Sequence, residues 1–251
     1  SRTSLINLFI GNPQILNNIP IEKRQEDLNF LIASAEANVK YNEHDSMAQM
    51  IMAQVYNLAA MYYIPRTDNQ GDIQKFYEYS DKSLQAIDAS IDASPRRVPI
   101  YFQKAQILMT RGEKDKVIET LQYATTLNPD YSDSFCYLGR AYLIFGQQKE
   151  GYENIGRCLD LVGAGDSLNS PALVKQAIEY FKAAKDWRRV IALLKILVGQ
   201  EPDNADNWVQ LANLYKQQGE IDKAKAAAEK AIEINPSLAN YAKGFIDSLG
   251  K

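Results

Sequence analysis

Apolar and small residues recur three and four positions apart down much of this chain, and short polar turns break the run at even intervals. The clearest stretch holds Trp208, Leu211, Ala212 and Tyr215, then Gly219, then Ala224, Ala228, Ala231 and a closing Pro236. Such spacing predicts two amphipathic helices joined by a tight turn. The glycine permits the left-handed conformation that reverses the chain. Proline ends the second helix, because it has no N–H for the ladder and keeps the residue before it out of the α region. Small residues such as Ala105, Gly139, Ala212 and Ala224 let helix backbones approach closely. Each unit is therefore a helical hairpin whose apolar face needs a neighbour to cover it.

Four prolines set the interval. Pro95 and Pro129 lie 34 residues apart, Pro202 and Pro236 lie 34 apart, and the gap between the pairs is two such intervals plus five. Sliding the sequence by 34 superposes Tyr101, Ala105, Gly112, Ala124 and Pro129 on Phe135, Gly139, Gly146, Cys158 and Gly163. A fixed period of this length is the mark of a solenoid. The pattern resembles the tetratricopeptide repeat, which runs W-x2-L-G-x2-Y, then small residues and a proline. The resemblance implies an all-α protein, a right-handed α-solenoid of helical hairpins with a C-terminal capping helix.

The segments divide as follows. Residues 1–51 form a divergent helical start, with helical periodicity from Glu22 to Tyr41 through Leu28, Leu31, Ile32, Ala35 and Val39. A short helix is expected around Leu5 to Ile10, and Ser46 followed by Gln49 reads as a capping box. Residues 52–97 are a degenerate repeat with an irregular insertion from Pro65 to Asp72; its first helix holds Val55, Leu58, Ala59 and Tyr62. Regular repeats follow at 98–131, 132–170, 171–204 and 205–238, and 239–251 supplies the cap. The five extra residues fall in 163–170, a longer loop where a bend or change of pitch is expected. Lys185 stands where the other turns carry glycine.

Composition narrows the chemistry. The net charge is only −3 and both signs are interspersed, which argues against a nucleic-acid surface. No apolar run reaches the length of a membrane span; the best candidate, Val190 to Gly199, contains Lys195. The chain opens at Ser1 rather than methionine, which fits a domain taken from a longer protein, with room for a membrane tether upstream. The compartment stays unassigned, cytoplasmic or at a membrane surface. Cys136 and Cys158 lie on the two helices of one repeat, Cys136 toward the ligand-facing side, and are expected as free thiols because a bridge demands specific geometry. His44, between Glu43 and Asp45, reads as a solvated residue flanking a helix. With one histidine and no cysteine cluster, the usual nitrogen and sulfur zinc sets cannot form. Gly163-Ala-Gly165 lacks the lysine and hydroxyl of a phosphate loop, and no nucleophile elbow occurs. The expectation is no catalysis, no metal and no cofactor. The 15 tyrosines, Tyr142 and Tyr215 among them, and Trp187 and Trp208 read mainly as packing residues.

In the family this chain resembles, the first helices of successive repeats line a concave groove that holds segments of partner proteins. Register carries that groove onto Tyr56, Tyr63, Phe102, Gln106 and Met109, then Asp133, Arg140 and Leu143, then Lys175, Glu179 and Lys182, and lastly Asn213 and Lys216. The N-terminal half is apolar and aromatic, the C-terminal half charged and mixed in sign. Two accounts of the apolar half stand side by side: it anchors a partner, or the chain's own first helices cover it. The family's carboxylate clamp is absent, since Phe102, Gln106, Tyr137, Ala172 and Gln176 occupy its positions. The resulting expectation is a protein-protein interaction scaffold for a protein or peptide segment. A weaker resemblance, to the soluble tails of bacterial O-antigen ligase-like membrane proteins, implies an accessory role beside a glycosyl-transfer enzyme. Self-association through an uncapped end is the third reading.

Overall fold

The computed structural model describes residues 2–12, 15–64, 70–161 and 167–249; the insertion at 65–72 and the loop at 163–170 lie partly outside them. Among the described residues every regular element is helical. The chain forms two units, Ser1–Pro129 and Asp130–Lys251. In the first, α1 (Arg2–Gly11), α2 (Ile15–Asn18) and α3 (Ile21–Tyr41) precede two hairpins. These are α4 (Ser46–Tyr62) with α5 (Gln70–Ala93), and α6 (Val98–Thr110) with α7 (Lys114–Leu127). The second unit holds three hairpins: α8 (Ser132–Ile144) with α9 (Gln148–Asp160), α10 (Pro171–Ala183) with α11 (Trp187–Gln200), and α12 (Ala205–Gln217) with α13 (Ile221–Ile234). A 3₁₀ turn (Pro236–Leu238) and α14 (Ala239–Asp247) follow.

The hairpin turns share one backbone solution. Gly112, Gly146 and Gly219 adopt φ of 74°, 79° and 74°. In each, the N–H after the glycine donates back across the turn: Glu113 to the Leu108 carbonyl, Gln147 to Tyr142, Glu220 to Tyr215. This six-to-one bond satisfies a carbonyl that the helix end leaves unpaired. Lys185 makes the same turn at φ 56°, with Asp186 donating to Phe181. A side chain thus sits where the backbone favours glycine.

The proline interval also has a local cause. The Tyr101 hydroxyl donates to the Pro95 carbonyl at 2.6 Å, and Trp208 Nε1 donates to the Pro202 carbonyl at 3.2 Å. In both places the first helix's aromatic residue ties down the turn that precedes it.

In the first unit, α4 and α5 meet along a seam of small residues. Ser80, Ser83 and Ser90 are fully buried; Ser83 donates to the Ala53 carbonyl at 2.7 Å, and Ser46 and Ser90 each donate to the other's carbonyl. Side-chain hydroxyls thus find backbone acceptors across the helix pair, as buried polar groups must. The N-cap of α4 differs from expectation. Asp45 accepts from the Met47 and Ala48 N–H groups, Ser46 turns inward to Ser90, and Gln49 donates to the Glu43 carbonyl. A carboxylate beside the positive helix end wins over the hydroxyl.

The core of the second unit runs through Ile155, Val174, Val190, Leu193, Leu194 and Leu197, all 2% exposed or less. Each such side chain contributes about 1.5–3 kcal/mol by leaving water. Helices α8 and α9 come close because Gly139 faces Gly151: a Cβ on Gly139 would stand 2.8 Å from the Gly151 carbonyl oxygen. That approach overturns the expectation of free thiols. Cys136 and Cys158 are joined in a disulfide with their Cα atoms 5.2 Å apart, and both are fully buried. Cys136 therefore turns into the hairpin, away from the ligand-facing side to which its register assigned it.

Candidate protein-binding surfaces

The predicted groove residues separate into two sets with different environments. In the first unit, Tyr56, Tyr63 and Phe102 are 7%, 5% and 6% exposed. Helix α3 accounts for the first two. The Tyr56 hydroxyl donates to Glu36 Oε1 at 2.5 Å, and the Tyr63 hydroxyl donates to Gln25 Oε1. Tyr79 of α5 stacks between the rings, 6.4 Å from Tyr56 and 5.8 Å from Tyr63. Lys75 Nζ lies 4.8 Å from the centre of the Tyr63 ring, a cation–π contact. Burial, more than the Glu36 contact, raises the Tyr56 phenol far above its ordinary pKa, and burial likewise raises Tyr63 and Tyr79. These phenols act as fixed donors and packing surface. Of the apolar half, Met109 is half-buried and Gln106 exposed.

The second unit presents mostly polar side chains already engaged with neighbours. Burial raises the Tyr131 phenol, and the neighbouring Asp133 carboxylate adds to the shift. Arg140 donates to the Ser167 carbonyl at 3.0 Å and lies over the Tyr137 ring. Leu143 packs over Gly151. Lys175 pairs with Glu201 at 2.7 Å, and hydrogen bonding from Lys175 is the main cause that lowers the Glu201 carboxyl below its usual range. Lys182 sits 2.9 Å from Glu179 and donates to Gln210 Oε1 of α12 at 3.1 Å. Asn213 donates to its own helix at Val209, and Lys216 reaches the Ser248 hydroxyl beyond α14 at 2.6 Å. The structure thus connects α10 to α12 through Lys182, and α12 to the C-terminal end through Lys216.

Two features escaped the sequence reading. Asp160, at the end of α9, receives both Arg188 and Arg189 from α11, with Arg189 Nη2 to Oδ2 at 2.6 Å. Hydrogen bonding from Arg189 is the largest cause that holds the Asp160 carboxyl below its usual range. The second is a cavity of about 180 Å³ in the first unit, lined in part by the carboxamides of Gln54, Asn57, Gln103 and Gln106. Amides three residues apart on a helix look in sequence like an ordinary polar face, and of the four only Gln106 stands among the predicted groove residues. Among the described residues, no group of three or more histidine, cysteine, aspartate or glutamate side chains is placed to hold a metal ion, and no helix is long and apolar enough to cross a membrane.

Hairpins of this kind, repeated with one turn geometry and a shared small-residue seam, define an all-α helical-repeat protein. The tetratricopeptide repeat family model matches residues 98–131 and 205–238, and those two segments are tetratricopeptide repeats. The chain is 29% identical over 128 residues to anaphase-promoting complex subunit 3 of Dictyostelium discoideum, a match covering 50% of this chain and 13% of that relative's length. It is also similar to the solved structure of human IFIT1, a dimer with m7Gppp-AAAA, at 11% identity and a TM-score of 0.51, over 84% of this chain and 45% of that one. A thermophilic tetratricopeptide protein of Thermus thermophilus is similar at 17% identity and a TM-score of 0.48, over 64% of this chain and 81% of that one. The likeness to IFIT1 is one of fold.

Proposed function

We propose that this chain is a non-catalytic scaffold that holds a segment of a partner protein against the first helices of its hairpins. The tetratricopeptide fold supports such a role. The observation that carries the reading is the connected polar line on α10 and α12, where Lys182 bridges Glu179 and Gln210, with Lys175 paired to Glu201 nearby. Each pair has one exposed member, Glu179 at 72% and Lys175 at 50%, and one half-buried member, Lys182 at 33% and Glu201 at 26%. Pairs that reach solvent in this way add little to folding and can exchange for a partner's charges at small cost. In the first unit the occupied face of Tyr56 and Tyr63 leaves Gln106 and Met109 as the accessible predicted positions.

Affinity capture with the wild-type chain, beside a Lys175→Glu/Lys182→Glu/Lys216→Glu variant, tests this. Partners retained by the wild type and lost by the folded variant support the scaffold. Identical capture by both removes this surface from the account. Neither the accessory-tail reading nor self-association is favoured by a specific feature of the structure.

A further inference from the structure

Away from the predicted groove, the second unit carries an open cleft of about 490 Å³ lined by α11, α12 and α13. Val198, Leu211, Tyr215 and Ala227 make its floor, each 8% exposed or less, with the half-buried Trp208 beside them. Trp208, Leu211 and Tyr215 stand three and four residues apart, on a different face of α12 from Asn213 and Lys216. The repeat explains the opening. One interval of 34 residues earlier, Leu193 occupies the position of Ala227 and is fully buried. Alanine at 227 offers only a methyl where leucine fills the preceding hairpin.

The rim carries one sign of charge. Lys195, Lys223 and Lys230 line the cleft, and among the described residues no carboxylate does. Lys223 and Lys230 pair with Glu220 and Glu233 outside it, and all four of these side chains are exposed. Lys223 Nζ also lies 5.6 Å from the centre of the Tyr215 ring, which holds an ammonium at the edge of the floor. Lys195, exposed on α11, makes no hydrogen bond or ion pair with the described residues. An apolar floor rimmed by polar groups is the surface pattern of an association site.

We propose that this cleft docks a partner segment in which one bulky apolar side chain stands between two acidic residues. The apolar side chain fills the space over Ala227 and against Trp208, and the carboxylates meet the lysines. Lys223 and Lys230 are seven residues apart on α13, about 10.5 Å along its axis. An extended segment covers that distance in about three residues, so carboxylates three or four positions apart straddle the anchor. A basic segment would meet three ammonium groups and no lining carboxylate. A free fatty acid brings one carboxylate to three lysines. The cleft adds a second surface to the scaffold and stands independently of the first-helix face.

The probe is acetyl-Glu-Ser-Leu-Ser-Glu-amide, titrated into the ¹⁵N-labelled chain while the Trp208 indole and the Ala226 and Ala227 amide resonances are followed. The expected result is a saturable shift of these resonances, with an affinity that falls as salt rises. Exchanging the probe's leucine for serine, or both its glutamates for lysine, should weaken binding about tenfold or more. Ala227→Leu should fill the cleft and abolish the shift of Trp208. Lys195→Glu, at an exposed position with no ion pair to lose, should weaken binding about fivefold and serves if the leucine variant does not fold. The Lys175→Glu/Lys182→Glu/Lys216→Glu variant should bind the probe as the wild type does, which separates the two surfaces. No saturable shift, equal binding of the lysine probe, or binding unchanged by Lys195→Glu overturns the proposal. So do the same shifts produced by phosphatidylserine vesicles in place of the probe, which would assign the cleft to a membrane surface, or by raising the concentration of the chain alone, which would assign it to a second copy.

Discussion

Replacing Lys185 with glycine should make the protein more stable. Lys185 holds φ 56° in the turn between α10 and α11, where the matching residues of three other hairpins are glycines between 74° and 79°. The turn's backbone hydrogen bonds are the same with lysine as with glycine, Lys185 N–H to Lys182 and Asp186 N–H to Phe181. Its side chain is exposed, so little is lost by removing it. A side chain in the left-handed region costs about 1–2 kcal/mol relative to glycine. Glycine in turn gives the unfolded chain extra freedom that offsets about 0.5–1 kcal/mol. The net expectation is a gain of about 0.5–1 kcal/mol, which at a urea slope near 2 kcal/mol per molar moves the midpoint up by about 0.3–0.5 M. Lys185→Ala is the control, because alanine keeps the Cβ and should leave the midpoint where lysine has it. Gly219→Ala is the converse: nothing lies within 4 Å of the added methyl, so any loss is conformational. A Lys185→Gly variant no more stable than wild type, together with a Gly219→Ala variant that loses nothing, would refute the argument from backbone geometry.

Three further outcomes follow from packing and charge. The Cys136–Cys158 bridge spans 22 residues, so in the chain-entropy account its reduction should destabilise the second unit by about 3 kcal/mol; because both sulfurs are buried, thiol titration is done on the protein unfolded without reductant, where no reactive sulfhydryl is expected and two would contradict the bridge. Gly139→Ala drives a methyl against the Gly151 carbonyl and the Ile155 N–H, which should cost about 1–3 kcal/mol in thermal or denaturant unfolding, whereas Gly199→Ala, with open space around it, should not. Asp160→Asn should cost about 1 kcal/mol at pH 7. Because the folded carboxyl is depressed, its contribution is complete above the ordinary aspartate range and is lost as pH falls through the folded value. The stability curves of the wild type and the Asp160→Asn variant should therefore converge in acid, once the pH lies below the depressed folded value; a gap that persists there would show the charge is not responsible.

Particular residues show what the sequence could and could not reveal. Trp208, Leu211, Ala212, Tyr215 and Gly219 spell out a hairpin, because helix period and turn chemistry are local and each residue's role depends on neighbours within one turn. The odd lysine at 185 was visible for the same reason. The apolar half of the groove was not, because the periodicity of Leu28, Leu31 and Ala35 fixes that α3 is amphipathic without fixing what it lies on. That is decided by contacts 20 and 38 residues apart, Tyr56 to Glu36 and Tyr63 to Gln25. Cys136 departs from its register because α8 and α9 approach closely at Gly139 and Gly151, which sets Cys136 and Cys158 5.2 Å apart at their Cα atoms, a contact between helices that the repeat register does not weigh. At α4 two adjacent polar residues competed for one cap, and Ser46 was drawn inward by Ser90, 44 residues away.

The central claim is that the first-helix face of the second unit binds a partner, and its most direct measure is a dissociation constant. Once capture has supplied a partner, its affinity is compared for the wild type and the Lys175→Glu/Lys182→Glu/Lys216→Glu variant, with circular dichroism melts confirming that both are folded. The account predicts at least about a tenfold loss, together with a wild-type affinity that falls as salt rises. Equal affinities in two equally folded proteins would contradict it.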